Sequence, residues 1–141
     1  MFHRIRIILE MIKFEHTVFA LPFALVAALA AVKGLPSWTQ LGWLLLAMVG
    51  ARSSAMTFNR IVDIDYDSRN PRTAGRALPA GLITLGQAWV FTLATAGLLV
   101  FAAYRLNPLA FMLSPVALAV VWGYSYTKRF TSASHLVLGL A

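Results

Sequence analysis

Long apolar runs constrain the fold of this 141-residue chain more than any other feature of its sequence. A helix needs about 20 mostly apolar residues to cross the hydrocarbon core of a bilayer. Four runs approach that length, and they cover residues 17–32, 41–58, 88–104 and 108–126. Because the runs are too long and too rich in Ala and Leu for buried strands, they predict transmembrane helices. The final apolar residues, 135–141, are typical of the start of a fifth helix.

The composition supports a membrane protein. Hydrophobic residues make up 60% of the chain and charged residues only 12%, whereas a soluble domain carries about 25% charge. The sequence contains no cysteine, which excludes a disulfide framework and a thiolate metal site. We therefore expect one all-α domain, a multi-pass transmembrane bundle with about four complete spans.

The positive charge of the chain predicts its orientation rather than a nucleic-acid partner. The net charge is +7, but the basic residues cluster between the apolar runs instead of covering a polar surface. All of the twelve basic residues except Lys33 and Arg105 lie on one side of the predicted bundle. The positive-inside rule assigns that side to the cytoplasm. Residues 1–16 resemble an amphipathic interfacial helix rather than a signal peptide.

The four tryptophans lie near the ends of the predicted spans, which indicates aromatic belts at the membrane surfaces. The four positions are Trp38, Trp43, Trp89 and Trp122.

Every aspartate of the chain lies in one nine-residue stretch, NRIVDIDYD, at positions 59–67. Residues four apart share one face of a helix, so Asn59, Asp63 and Asp67 form one oxygen-rich stripe. Asp65 lies about half a turn away from this stripe. Seven residues before Asn59, about two helical turns deeper in the membrane, stands Arg52.

Carboxylate and amide oxygens suit Mg²⁺, which keeps several waters and is usually shared with substrate phosphates. Two carboxylates leave coordination positions that a diphosphate could fill. Arg72 and Arg76, just downstream, would contact the same diphosphate by charge-assisted hydrogen bonds. An ionisable residue inside a span marks a functional site by default, and Arg52 is such a residue. The spacing therefore predicts a magnesium-diphosphate site over residues 59–87, which comprise a helix end and a cytoplasmic loop.

Other interpretations of the acidic stretch remain open at this point. The charges could solvate and anchor the loop, or they could belong to a cation transporter, although none of the spans carries an acid at the midplane for a relay. An EF-hand is excluded, because Ser68 and Ala74 stand where its loop requires Gly and Glu.

Four sequence segments resemble the UbiA family of membrane aromatic prenyltransferases, in its 4-hydroxybenzoate polyprenyltransferase-like branch. The stretch NRIVDIDYD matches the family's N-x-x-x-D-x-x-x-D motif, and Arg52 stands where the family also has an Arg. Further likenesses are RNPRTAGRALPAG, YSYTKR and the N-terminal KFEHTVFALPFAL. In YSYTKR, Ser125 replaces the family's Pro.

The resemblance implies transfer of a polyprenyl chain from polyprenyl diphosphate to a small aromatic acid in quinone biosynthesis. The implied acceptor is similar to 4-hydroxybenzoate, with a dihydroxynaphthoate acid of menaquinone biosynthesis as the alternative. Catalytic roles would fall to Asp63, Asp67 and Arg52, the last contacting either the diphosphate or the acceptor carboxylate. Magnesium would be held through the diphosphate by Asn59, Asp63 and Asp67. The implied diphosphate contacts are Arg72, Arg76, Lys128 and Arg129.

The chain departs from the family pattern in its extent. Family members continue with further helices and a second Asp-rich motif, whereas this sequence contains no Asp or Glu after Asp67. We therefore expect the N-terminal half of a prenyltransferase, inactive alone and completed by a missing C-terminal half. A non-catalytic membrane fragment is the alternative.

Overall fold

The computed structural model describes residues 2–32 and 34–127, and this part of the chain folds into helices joined by turns. The helices are α1 (Phe2–Met11), α2 (Phe14–Val32), α3 (Trp38–Val62), α4 (Ile64–Arg69), α5 (Leu85–Leu106) and α6 (Pro108–Thr127). The predicted all-helical fold is confirmed for these residues. The predicted start of a fifth span lies outside them.

Among the described residues, three helices are long and apolar enough to cross a membrane: α3, α5 and α6, the last over Pro108–Tyr126. They contain the predicted spans 41–58, 88–104 and 108–126. The predicted span 17–32 is also helical, but its continuous apolar part within the described residues, Val18–Ala30, is shorter. Membrane crossing by α2 therefore stays a prediction. Large apolar side chains such as Phe23 and Met112 are more than 70% exposed, as lipid-facing side chains would be.

Small residues allow α3 and α5 to approach closely. Gly50 is the tightest point, because a Cβ built there would lie 2.8 Å from the carbonyl oxygen of Thr95. Near it, the hydroxyl of Ser54 donates a 3.1 Å hydrogen bond to the carbonyl oxygen of Thr92 across the two helices. The facing positions are buried and mostly small: Ser53, Ser54 and Thr57 on α3, and Ala88, Thr92 and Ala96 on α5. Such pairs are typical of membrane helices, where packing and interhelical hydrogen bonds replace hydrophobic burial.

An aromatic cluster holds α6 against this pair of helices. The ring of Phe58 stacks on Trp122 with centroids 4.9 Å apart, and Trp89 and Tyr126 meet it edge-on. The indole N–H of Trp122 donates a 3.1 Å hydrogen bond to the hydroxyl of Ser54. The placement of Trp122 in an aromatic belt stays a prediction, but its polar edge is hydrogen-bonded to another helix.

The N-terminal segment is two helices rather than one helix over residues 1–16. α1 ends at Met11, and α2 begins at Phe14 after a turn in which Lys13 has a φ of 52°. Met11 and Ile12 are 7% and 5% exposed, so the turn is anchored by apolar burial. The turn places Lys13 on the wall of a cavity that is also lined by residues of the segment between α4 and α5.

The segment between α4 and α5, residues 70–84, is called the basic loop here. It contains Arg72 and Arg76 and is built from successive hydrogen-bonded turns. Leu78 anchors it by packing in a small apolar core with Ile61 and Ala88. The loop ends at Thr84, which caps α5 by accepting a hydrogen bond from the backbone N–H of Gln87. The basic loop is therefore a folded element fixed to both long helices.

Candidate functional site

The predicted acidic stripe begins in α3 and continues into α4, with an interruption at Asp63. This residue caps the C-terminus of α3 with φ −89° and ψ 2°, in the bridge region of backbone space. The backbone N–H of Asp63 still bonds the carbonyl oxygen of Asn59 at 3.0 Å, and that of Asp67 bonds Asp63 at 2.8 Å. Because both are four-residue hydrogen bonds, the one-face spacing of Asn59, Asp63 and Asp67 continues across the interruption.

Asp67 is the most enclosed acid of the stripe. Only 9% of its side chain is exposed, and one guanidinium nitrogen of Arg76 lies 2.7 and 2.8 Å from its two carboxylate oxygens. A second guanidinium, that of Arg60, lies 3.9 Å away. The hydroxyl of Thr73 donates to the main-chain oxygen of Asp67 at 2.9 Å, which ties the basic loop to α4. Two predicted site residues, Asp67 and Arg76, are thus brought into direct contact, although they were expected to meet through a ligand.

The other acids differ in exposure along the stripe. Asn59 and Asp63 are half-buried, whereas Asp65, which lies off the stripe, is exposed. The described residues contain no group of three or more His, Cys, Asp or Glu side chains that could hold a metal by themselves. The donors that could take part in holding one are the amide oxygen of Asn59 and the carboxylates of Asp63 and Asp67.

Arg52 lies on α3 two turns before Asn59 and is half-buried. Within the described part of the chain, its buried Nε has no hydrogen-bond partner. Leaving such a donor unpaired costs about 1–3 kcal/mol. A half-buried cation whose buried donor is unpaired is suited to receive an anionic ligand.

A cavity of about 490 Å³ lies between α1, the turn after it and the basic loop. Four cations line its wall: Lys13, Arg60, Arg72 and Arg76. The structure thus brings the predicted diphosphate contacts Arg72 and Arg76 to one cavity. Arg52, Asn59, Asp63 and Asp67 are not among its lining residues, but Arg76 both lines it and contacts Asp67.

Sequence reasoning missed Arg60 and Lys13 as members of this wall. Arg60 stands seven residues before Asp67, about two helical turns, so the period that selected the stripe could have paired these two. No comparable signal existed for Lys13, because its position depends on the turn between α1 and α2. Two further predicted contacts, Lys128 and Arg129, lie outside the described residues.

Known proteins are similar to this chain in sequence and in fold. The family model described as the UbiA prenyltransferase family matches residues 20–141. A 4-hydroxybenzoate octaprenyltransferase from Vibrio atlanticus (strain LGP32) is 34% identical over 111 residues, which cover 79% of this chain and 39% of that protein. Another from Aliivibrio fischeri (strain ATCC 700601 / ES114) is 36% identical over 119 residues, covering 82% of this chain and 40% of that protein.

Among solved structures, the apo structure of a UbiA homolog from Aeropyrum pernix K1 superposes with a TM-score of 0.83 at 39% identity. The match covers 89% of this chain and 45% of that one. The chain therefore spans about 40% of the length of the curated relatives it matches. Because the family model covers most of the sequence and a homologous structure shares its fold, the chain belongs to the UbiA prenyltransferase family.

Proposed function

We propose that the intact protein transfers a polyprenyl chain from polyprenyl diphosphate to a small aromatic acid. The observation that carries the proposal is the junction at Arg76, which joins an acidic stripe to a cavity with four cations on its wall. Acids that hold a cation beside bases that hold an anion are what the departure of a diphosphate requires.

The donor set of the stripe fits Mg²⁺, which prefers hard oxygen ligands and is commonly shared with substrate phosphates. Asn59, Asp63 and Asp67 would hold it, together with diphosphate oxygens. When bound, the metal supplies charge neutralisation at the diphosphate. Since the described residues form no metal cage of their own, a metal shared with the substrate is the arrangement they support.

The basic residues of the chain would bind the leaving group. Arg72 and Arg76 are placed on the cavity wall, and Lys128 and Arg129 are proposed from sequence as further contacts. Arg76 can exchange the Asp67 carboxylate for a diphosphate oxygen, because its guanidinium lies against both the acid and the cavity. Charge-assisted hydrogen bonds of this kind strengthen as negative charge develops on the departing group.

In the reaction, the bond between the allylic carbon and the diphosphate oxygen breaks, and its electron pair leaves with the diphosphate. An electron-rich ring carbon of the acceptor then bonds to the allylic cation, and the ring loses a proton to restore aromaticity. Arg52, with its unpaired buried Nε, is proposed to contact either the diphosphate or the acceptor carboxylate.

The acceptor and the donor length are proposed from the relatives. Those compared above are named 4-hydroxybenzoate octaprenyltransferases, which favours a 4-hydroxybenzoate-like acid and a long prenyl chain. A dihydroxynaphthoate acid is the alternative acceptor. The proposed location is a bacterial inner membrane, with the basic loop on the cytoplasmic side.

The test is product formation by the intact protein in membranes, followed by mass spectrometry with each acceptor in turn. We expect prenylated acid with Mg²⁺ and none after chelation by EDTA. The change Asp63→Asn should lower turnover at least a hundredfold, as loss of a group that stabilises developing charge does. Asp65→Asn is the matched control, because it removes the same charge from the exposed side of α4 and should retain turnover. Full activity of Asp63→Asn, or equal loss in both variants, would contradict the proposed site.

A further inference from the structure

One wall of the cavity beside the basic loop consists of residues that no sequence motif predicted to be part of the site. This wall comes from α1 and the turn that follows, and it adds Lys13 to a cavity that Arg72 and Arg76 also line. The volume of about 490 Å³ lies within the range of about 300–1,000 Å³ typical of small-molecule sites. A second source of positive charge thus faces the proposed diphosphate contacts from the N-terminal segment.

The acid on this wall does not cancel that charge. Glu10 also lines the cavity, but its carboxylate accepts a 2.8 Å hydrogen bond from the Nε of Arg6 one turn earlier. This hydrogen bond and the attraction of the two charges raise the pKa of Arg6. Arg6 is 80% exposed and is not among the lining residues. The negative charge of Glu10 is therefore balanced from outside, and the cavity keeps an excess of cations.

The backbone at Lys13 is held in an uncommon conformation. Its φ of 52° is the only positive φ of a non-glycine residue in the described ranges. Apart from Asn, Asp and His, non-glycine residues rarely adopt a positive φ. The conformation is fixed by the burial of Met11 and Ile12 and by a 3.2 Å hydrogen bond from the Lys13 N–H to the carbonyl oxygen of Glu10. Glycine would adopt this turn with less strain. A strained lysine at a ligand cavity is the kind of outlier that indicates a functional constraint.

We propose that Lys13 is a further binding residue for the diphosphate group, placed by the turn after α1 on the wall of the cavity that Arg72 and Arg76 also line. The ligand class is a diphosphate anion, free or esterified to a prenyl chain. The inference rests on the proposed function, since it deepens the same site. Lysine suits this position because a flexible ammonium can follow a phosphoryl oxygen without the fixed geometry of a guanidinium.

The experiment measures binding of inorganic diphosphate with Mg²⁺ to the intact protein in a non-ionic detergent, by titration calorimetry. Lys13→Gln should weaken binding about tenfold, the effect of losing one charge-assisted hydrogen bond. Lys13→Arg should stay within about threefold of the parent protein, because it keeps the charge. Arg69→Gln is the matched control: it removes the same charge from an exposed position of α4 that does not line the cavity, and binding should be unchanged within about twofold.

Lys13→Gly separates conformation from charge. Since glycine relieves the left-handed turn, this variant should unfold at a temperature no lower than the parent protein and still bind diphosphate as weakly as Lys13→Gln. Parent-like diphosphate binding by Lys13→Gly or Lys13→Gln would overturn the inference. Equal losses in Lys13→Gln and Arg69→Gln would also overturn it, because they would show a general charge effect.

Two further results distinguish this inference from others. If the parent protein binds no diphosphate at all, the proposed function fails along with it. If Asp63→Asn loses Mg²⁺-dependent binding while Lys13→Gln does not, only the role of Lys13 fails.

A phosphate-containing lipid headgroup is tested in nanodiscs containing phosphatidylglycerol or only phosphatidylcholine. Loss of phosphatidylglycerol retention in Lys13→Gln, with diphosphate binding intact, would assign the cavity to lipid and overturn the inference.

Discussion

The carboxylate of Asp67 contacts Arg76 in this structure, and the proposed function requires the same oxygens to bind Mg²⁺. Both oxygens lie within 2.8 Å of the same guanidinium nitrogen of Arg76. The side chain of Asp67 is 9% exposed, so its charge must be balanced by protein groups when no ligand is bound. Arg76 therefore has a structural role in the ligand-free protein that a passive loop residue would not have.

This role predicts that Arg76→Gln destabilises the ligand-free protein. Removing one partner leaves the buried Asp67 carboxylate with Arg60 at 3.9 Å as its remaining cation. We expect a loss of about 1–3 kcal/mol, seen as a lower midpoint of thermal unfolding in detergent. Arg72→Gln is the control, because its side chain is exposed and should change stability by about 0.5 kcal/mol or less. Equal effects of the two changes would show that the Asp67–Arg76 contact does not stabilise the fold.

The stripe was predictable from sequence because four-residue spacing is a local property of the helix. Even with the interruption at Asp63, the two hydrogen bonds continue the spacing, and Asp65 lies off the stripe and is exposed. The contact of Asp67 with Arg76 was not predictable, since it depends on how the basic loop folds back over α4. The place of Lys13 depends on a turn that periodicity does not report.

Helices α3 and α5 meet at Gly50, where two backbones come close enough to exclude a side chain. A Cβ there would lie 2.8 Å from the carbonyl oxygen of Thr95 and 2.9 Å from the backbone nitrogen of Leu99. Because both neighbours are main-chain atoms of α5, the helices must separate to admit a methyl group. We predict that Gly50→Ala costs about 1–3 kcal/mol of stability, as overpacking does.

Gly42→Ala is the control for this prediction on the same helix. Nothing lies within 4 Å of a Cβ at that position, so the change should be neutral or slightly stabilising because Ala favours helix. Thermal unfolding of the two variants in the same detergent checks the comparison. An unchanged midpoint for Gly50→Ala would mean that α3 and α5 are not packed as tightly as the structure shows.

The long helices could be recognised from apolar runs, but their neighbours could not. Length and composition identify a span, whereas the facing residues of α3 and α5 are distinguished only by small size. Trp122 shows the limit clearly: its sequence position near a span end indicated a belt, but its indole N–H bonds Ser54, 68 residues earlier. Only the tertiary packing of α6 against α3 brings these two together.

At the scale of the whole molecule, the alternating direction of the helices places the candidate site and most of the basic residues at the same end of the bundle. Successive long helices alternate in direction, so the N-terminus of α3 and the C-terminus of α5 lie at one end of the bundle. Arg105 of α5 accordingly lies over the ring of Trp43 near the start of α3, 5.3 Å from its centroid. The acidic stripe, α4 and the basic loop lie at the opposite end, with most of the positive charge. The positive-inside rule therefore predicts, for the candidate site, the cytoplasmic side of the membrane.

The 141-residue sequence contains no cysteine, so a cysteine introduced into it is the only thiol of these residues and tests this orientation. Gly34→Cys, before α3, and Gly86→Cys, at the start of α5, both place the new side chain where nothing lies within 4 Å of the Cβ. Both positions are exposed, so neither change should disturb the fold. In spheroplasts treated with a membrane-impermeant maleimide, we expect labelling of Gly34→Cys, because it follows the span predicted from α2. Gly86→Cys should be labelled only after the membrane is permeabilised. Labelling of both positions from outside would contradict a membrane-spanning α3, and the reverse pattern would place the basic loop and the candidate diphosphate site outside the cell.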